Sequence, residues 1–122
     1  MKKTLLTAQA LSDRAIKGLS EIKGRDIVRM DLRKAGGSFT DFFVICTGTS
    51  DRHVQALADS VSKFMQEIGE KPVCLEGYQA GQWILLDYGN IVVHIFQQEI
   101  RNFYRLEDFW GDAEFERLGD AA

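Results

Sequence analysis

The stretch from Gln82 to Phe96, QWILLDYGNIVVHIF, is the feature that most constrains the fold. Two apolar runs flank Asp-Tyr-Gly-Asn, the pattern of a β-hairpin. A hairpin with one wet face alternates apolar with polar residues. Here large side chains, Trp83 and His94 among them, occupy nearly every position. A two-residue turn at Tyr88-Gly89 pairs Asp87 with Asn90, Leu85 with Val92 and Trp83 with His94. Ile84, Leu86, Ile91, Val93 and Ile95 then share one face, which is core. The other face mixes Trp83, Leu85 and Val92 with the polar groups of Asp87, Asn90 and His94. Such a mixture suits a protein-binding patch, an aromatic anchor ringed by hydrogen-bonding groups. The alternative is that the first or the last helix covers Trp83 and completes a second core layer.

The rest of the chain supplies the sheet and its helices. Ala8, Leu11, Ala15, Leu19 and Ile22 recur at helical spacing, with Gly24 as a candidate C-cap. In DIVRMDLR, Val28, Met30 and Leu32 alternate with charged residues, as in a half-buried strand; KAGGS breaks it. DFFVICTG is an unbroken apolar run, read as a central strand buried on both faces. Gly48-Thr49-Ser50 opens a second helix with its buried stripe at Val54, Leu57, Val61, Met65 and Ile68, ended by Gly69. PVCLE is a short strand, and QEIRNFYRLEDFW reads as one final helix. The order α-β-β-α-β-β-β-α implies a single-domain mixed sheet flanked by helices, an α/β (α+β) fold. The domain spans residues 1–110, and the polar residues 111–122 read as a frayed tail.

Composition limits the function classes. The 122 residues carry a net charge of −3, which argues against a surface built to neutralise phosphates. Cys46 and Cys74 sit in apolar runs and read as buried thiols; with His53 and His94 they show no zinc spacing. The N-terminal MKKTLLTAQA is too short and too broken for a signal sequence, so a cytoplasmic protein is expected. Ser50, His94 and Asp87 supply the residue types of a catalytic triad, but no G-x-S-x-G elbow accompanies them. Asp31, Asp41 and Asp87 lie on or beside strands without the D-x-D or D-x-E pairing of a two-metal site; the D-x-E at Asp112 and Glu114 falls in the tail. Ser50 suits a helix N-cap with Asp51 against the helix dipole, although such a turn can also cradle an anion.

In DIVRMDL, DFFVICTGTSDRHVQALAD, the hairpin and RNFYRLEDFW, the chain resembles the ribosomal silencing factor (RsfS, Iojap-like) family, from about Leu11 to Ala113. The resemblance implies a fold similar to nucleotidyltransferases but without their metal-binding carboxylates, no reaction and no cofactor. It implies binding to the large ribosomal subunit through its fourteenth protein, on the face that meets the small subunit. Subunit joining is then blocked and translation repressed when nutrients are scarce. Membrane and DNA have no part in this, and contact with rRNA is secondary at most. The family's contact motif W-[VIL]-L-[LV]-D-x-G falls on Trp83, Leu85 and Asp87, with His94 on the neighbouring strand. Asn90 stands where the family usually has Asp, which removes a charge and keeps a hydrogen-bonding group. The candidate contact set is therefore Trp83, Leu85, Asp87, Tyr88, Asn90 and His94. Gly48, Thr49, Ser50, Arg52 and His53 match the GTS-x-RH motif and read as capping and packing. A homodimer is compatible with an exposed apolar hairpin face. The rival reading is a residual nucleotide-binding or nucleotidyltransferase-like protein using Gly48–Ser50 and Asp31, Asp41 or Asp87.

Overall fold

A computed structural model describes residues 6–34, 39–110 and 113–120. The expected strand break at 35–38 and the Asp112 carboxylate lie outside them. The first amphipathic run forms α1 (Ala8–Glu21), opened by Thr7, whose hydroxyl accepts the Ala10 N–H at 3.0 Å. Strands β1 (Arg25–Asp31) and β2 (Phe42–Gly48) lead into α2 (Asp51–Gln66). Then come β3 (Cys74–Glu76), β4 (Trp83–Asp87) and β5 (Ile91–Gln97). Helix α3 (Gln98–Tyr104), a 3-10 segment (Leu106–Trp110) and β6 (Glu114–Gly119) complete the order.

The strands form one six-stranded sheet in the order β3-β4-β5-β2-β1-β6. Only the β2–β5 pair is parallel, so the sheet is mixed. Every residue of β2 is buried, as its unbroken apolar run demands. Helices α1 and α2 cover one face, where Leu19, Leu57 and Val61 pack over Val44, Ile84 and Val93. The two helices approach closely at Gly18: a Cβ there would sit 3.1 Å from the Ser60 carbonyl oxygen, and the Ser60 hydroxyl donates to the Gly18 carbonyl at 2.7 Å. On the other face Val28, Met30, Phe43, Ile45, Val92 and Phe96 form a second cluster. Ile100, Leu106, Trp110 and Phe115, all from the last part of the chain, lie partly buried against it.

Three local features differ from the sequence reading. The final helix is two pieces: α3 stops at Arg105, which adopts φ 49°, and the 3-10 segment follows. The break lets Ile100 of the helix and Leu106 and Trp110 beyond it all reach the second face. Residues Glu114–Gly119, expected to fray, form strand β6 along β1. Its backbone completes the hydrogen bonding of an otherwise open sheet edge. Phe115 joins the second cluster, and Glu116 accepts from Arg29 at 2.7 Å. Finally, the hairpin turns one residue later, at Gly89-Asn90, where the Tyr88 N–H donates to the Ile91 carbonyl at 2.9 Å, so that Asp87 faces Val92, Leu85 faces His94 and Trp83 faces Phe96. The partner is displaced by an even number of residues, which leaves each side chain on its expected face.

Candidate functional site

The face not covered by α1 and α2 is where β4 and β5 carry their mixed side chains. Gly77, at φ 82°, sets the approach to β4: a Cβ there would lie 2.0 Å from the Trp83 carbonyl oxygen. Trp83 is half-buried. Its ring lies 4.8 Å from Phe96 and 5.0 Å from Tyr104, between centroids. Its indole N–H donates to Nδ1 of His94 at 3.1 Å. His94 is only 3% exposed, and its Nε2 has no hydrogen-bond partner. The Phe43 ring meets the imidazole at 4.6 Å with the planes at 71°, and Phe96 lies nearly parallel to it. Burial pushes the imidazole down to about 3, so it is neutral at physiological pH. In that neutral form, with Nδ1 accepting, the proton sits on Nε2.

Leu85 is half-buried beside this cluster, and Asp87 is half-buried at the strand end. The Asp87 carboxylate accepts the Gly89 N–H at 2.8 Å and thereby shapes the turn. Asn90 is exposed, and its backbone carbonyl accepts from Asp41 and Phe42 at the start of β2. Tyr88 lies elsewhere. It is 8% exposed and packs in the helix-covered core, where burial pushes its hydroxyl up to about 12. Trp83, Leu85, Asp87 and His94 thus share the open face of the sheet, Asn90 sits at its rim, and Tyr88 supports the turn from beneath.

Sequence reasoning missed the aromatic extension of this face. Tyr104 packs against Trp83 with the ring planes tilted by 50°, and Phe103 beside it is 77% exposed. Phe109, in the 3-10 segment, is 74% exposed. The signal was present as aromatic density in RNFYRLEDFW, but a single helix could not place those rings. Trp83 is flanked by α3 through Tyr104 and yet retains accessible surface, so the last helix covers it only in part.

The turn after β2 holds the GTS-x-RH residues. Ser50 caps α2, its hydroxyl accepting the His53 N–H at 3.0 Å. His53 accepts the Thr49 N–H on Nδ1 at 2.9 Å and donates from Nε2 to the Ile22 carbonyl at 2.8 Å. This imidazole ties the start of α2 to the end of α1, which is capping and packing as the residue types suggest. A cleft of about 500 Å³ lies alongside, lined by Arg25, Asp26, Thr47, Gly48 and Thr49 among others. Its Arg25 is already paired with Asp120 at 3.5 Å. Cys46 is buried in β2 and its thiol is pushed up to about 12 by that burial. Cys74 differs from expectation: on the short edge strand β3 it is only partly covered. Among the described residues no three His, Cys, Asp or Glu side chains are grouped to hold a metal, and no helix is long and apolar enough to cross a membrane.

Fold and face together define a small α/β domain with helices over one side of its sheet and an incompletely covered aromatic surface on the other. Comparison with known proteins gives the lineage. The family model described as "Ribosomal silencing factor during starvation" (RsfS) matches residues 6–121. Ribosomal silencing factor RsfS of Halalkalibacterium halodurans is 38% identical over 108 residues, 88% of this chain and 92% of the relative. That of Chromobacterium violaceum is 40% identical over 103 residues, 84% of each chain. A crystal structure of a Chromobacterium violaceum protein has a TM-score of 0.84 at 37% identity, covering 96% of this chain and 97% of that one. The chain belongs to the ribosomal silencing factor family.

Proposed function

We propose that this protein represses translation by docking on the large ribosomal subunit through the open face of β4 and β5. The docked protein contacts the large subunit's fourteenth protein and sterically prevents association with the small subunit. The observation that carries the reading is Trp83: a half-buried indole among aromatic neighbours, on the side of the sheet that α1 and α2 leave open. Half-exposed aromatic anchors of this kind dominate binding energy at protein interfaces. Leu85 extends the apolar contact, Asp87 and Asn90 supply polar groups at its rim, and His94 and Tyr88 act from within. The resemblance to silencing factors supports the partner. A second copy of the chain competing for the same apolar surface would make any homodimer an inactive reservoir.

The rival reading, a nucleotide-binding remnant of a nucleotidyltransferase-like fold, would use the cleft at Gly48–Ser50. There the Ser50 hydroxyl and the Thr49 N–H are already engaged in capping, and Arg25 in an ion pair, so docking is preferred. The experiment is co-sedimentation with isolated large subunits. Trp83→Ala is expected to fold and to lose binding; a folded variant that binds with unchanged affinity refutes the docking face. Saturable binding of nucleotide with magnesium, by calorimetry, would favour the rival.

A further inference from the structure

His94 is the most enclosed member of the candidate contact set, at 3% exposure, and its chemistry is unusual for where it lies. Its neighbours on the sheet face are the rings of Phe43, Trp83 and Phe96. An apolar side chain would fill that space without leaving a buried nitrogen unpartnered, as Nε2 of His94 is. A buried N–H without a partner is destabilising. Stability of the core therefore gives no reason for an imidazole at this position. The reason lies in its other nitrogen, which accepts the indole N–H of Trp83 at 3.1 Å.

Resting on the docking reading above, we propose that His94 is a positioning residue, which turns the only polar atom of Trp83 inward and presents the indole to the ribosomal partner as carbon alone. Tryptophan on a sheet surface has more than one staggered arrangement available about its side-chain bonds. With the ring flanked by Phe96 and Tyr104, packing restricts these arrangements but does not choose which edge faces in. The hydrogen bond makes the choice, because turning the ring over would bury a carbon edge against Nδ1 and leave that acceptor unpaired. Two consequences follow for recognition. The partner meets Trp83 through apolar contact and needs no acceptor for its N–H. The polar component of docking is left to Asp87 and Asn90 at the turn. His94 itself touches nothing outside the protein; it orders the anchor beforehand, which reduces the entropy lost on binding.

The test uses the full chain. In the 15N-labelled wild type, a scalar coupling between Nε1 of Trp83 and Nδ1 of His94 is expected across the hydrogen bond, with the indole proton protected from solvent exchange. Absence of the coupling, or an indole proton that exchanges freely, overturns the proposal whatever the variants do. His94→Phe fills the space without an acceptor, whereas His94→Asn places an amide oxygen near the position of Nδ1. The Phe variant is expected to lose indole protection and to bind isolated large subunits about tenfold more weakly, the scale of one hydrogen bond. The Asn variant is expected to recover much of both. A folded Phe variant with wild-type affinity overturns the positioning role. Wild-type protein that shows the coupling but does not bind large subunits refutes the docking reading, and with it the role of the anchor, while leaving the hydrogen bond established.

Discussion

The guanidinium of Arg101 holds the backbone carbonyl of Asp26 at 2.8 Å, across 75 residues of sequence. Asp26 needs holding: its φ of 47° lies in the left-handed region, at the irregularity where β1 changes register against β2. The same guanidinium donates to the Thr47 hydroxyl at 2.8 Å and to the Glu107 carboxylate at 3.1 and 3.3 Å. One buried cation thus fastens α3 and the 3-10 segment to the ends of two strands. Arg101→Met is expected to destabilise the fold by roughly 3 kcal/mol, since it strips two oxygen acceptors of their donor and leaves the Glu107 carboxylate with the more distant Arg117, at 3.6 Å. Urea denaturation gives the magnitude. Hydrogen exchange should show residues 98–110 opening before the sheet does.

The close approach of α1 and α2 is set by Gly18. A methyl group there would meet the backbone of Ser60 and Val61 at 3.1–3.2 Å, atoms that move only with the whole helix. Gly18→Ala gains helix propensity but overpacks the crossing. A net loss of about 1–3 kcal/mol is expected by thermal or chemical denaturation.

The buried imidazole of His94 makes stability depend on pH. Its folded value is pushed down to about 3, against the ordinary 6.5. Between those values the unfolded chain binds a proton that the native protein excludes. Stability from this site is therefore complete at neutral pH and falls as pH drops below the unfolded value. From pH 7 to pH 5 the loss is about 2 kcal/mol for one such group. Denaturation of the wild type and of His94→Phe at both pH values isolates it, because the variant lacks the term.

The two thiols should separate by reactivity. Cys46 is enclosed in β2 and pushed up to about 12, whereas Cys74 on the edge strand is accessible, although its bond to the Glu76 carboxylate raises it as well. A thiol reagent at neutral pH is expected to label Cys74 in the native protein and Cys46 only after unfolding. Mass spectrometry of the digested adduct reads the site. Rapid native labelling of Cys46 would mean that β2 opens locally.

The sequence announced most of this fold, and the failures have physical causes. The hairpin's two faces were readable because side-chain parity survives an even displacement, while the register was not, since Asp-Tyr-Gly-Asn does not by itself fix which two residues form the turn. The capping role of Ser50 was legible from residue type and position, whereas that of His53 was read through the GTS-x-RH resemblance. Strand β6 was not: EFERLG offers the core little beyond Phe115, and its order comes from pairing with β1. The division of the last helix also escaped, because the contact that secures it joins Arg101 to Asp26, far upstream. Of the proposed contact residues, Tyr88 could be assigned to a face only once the turn was seen.

Strand β6, near the end of the described residues, is the neighbour of the first strand, β1. During synthesis β1 is made early, whereas β6, which covers its outer edge, follows all the other strands. Until β6 is made, the nascent chain displays an open sheet margin and an incomplete second layer. Folding of this domain is thus finished by contacts of the greatest sequence separation, the slowest kind to form. In a protein proposed to restrain ribosomes, the sheet face that carries Trp83 is the last to be completed.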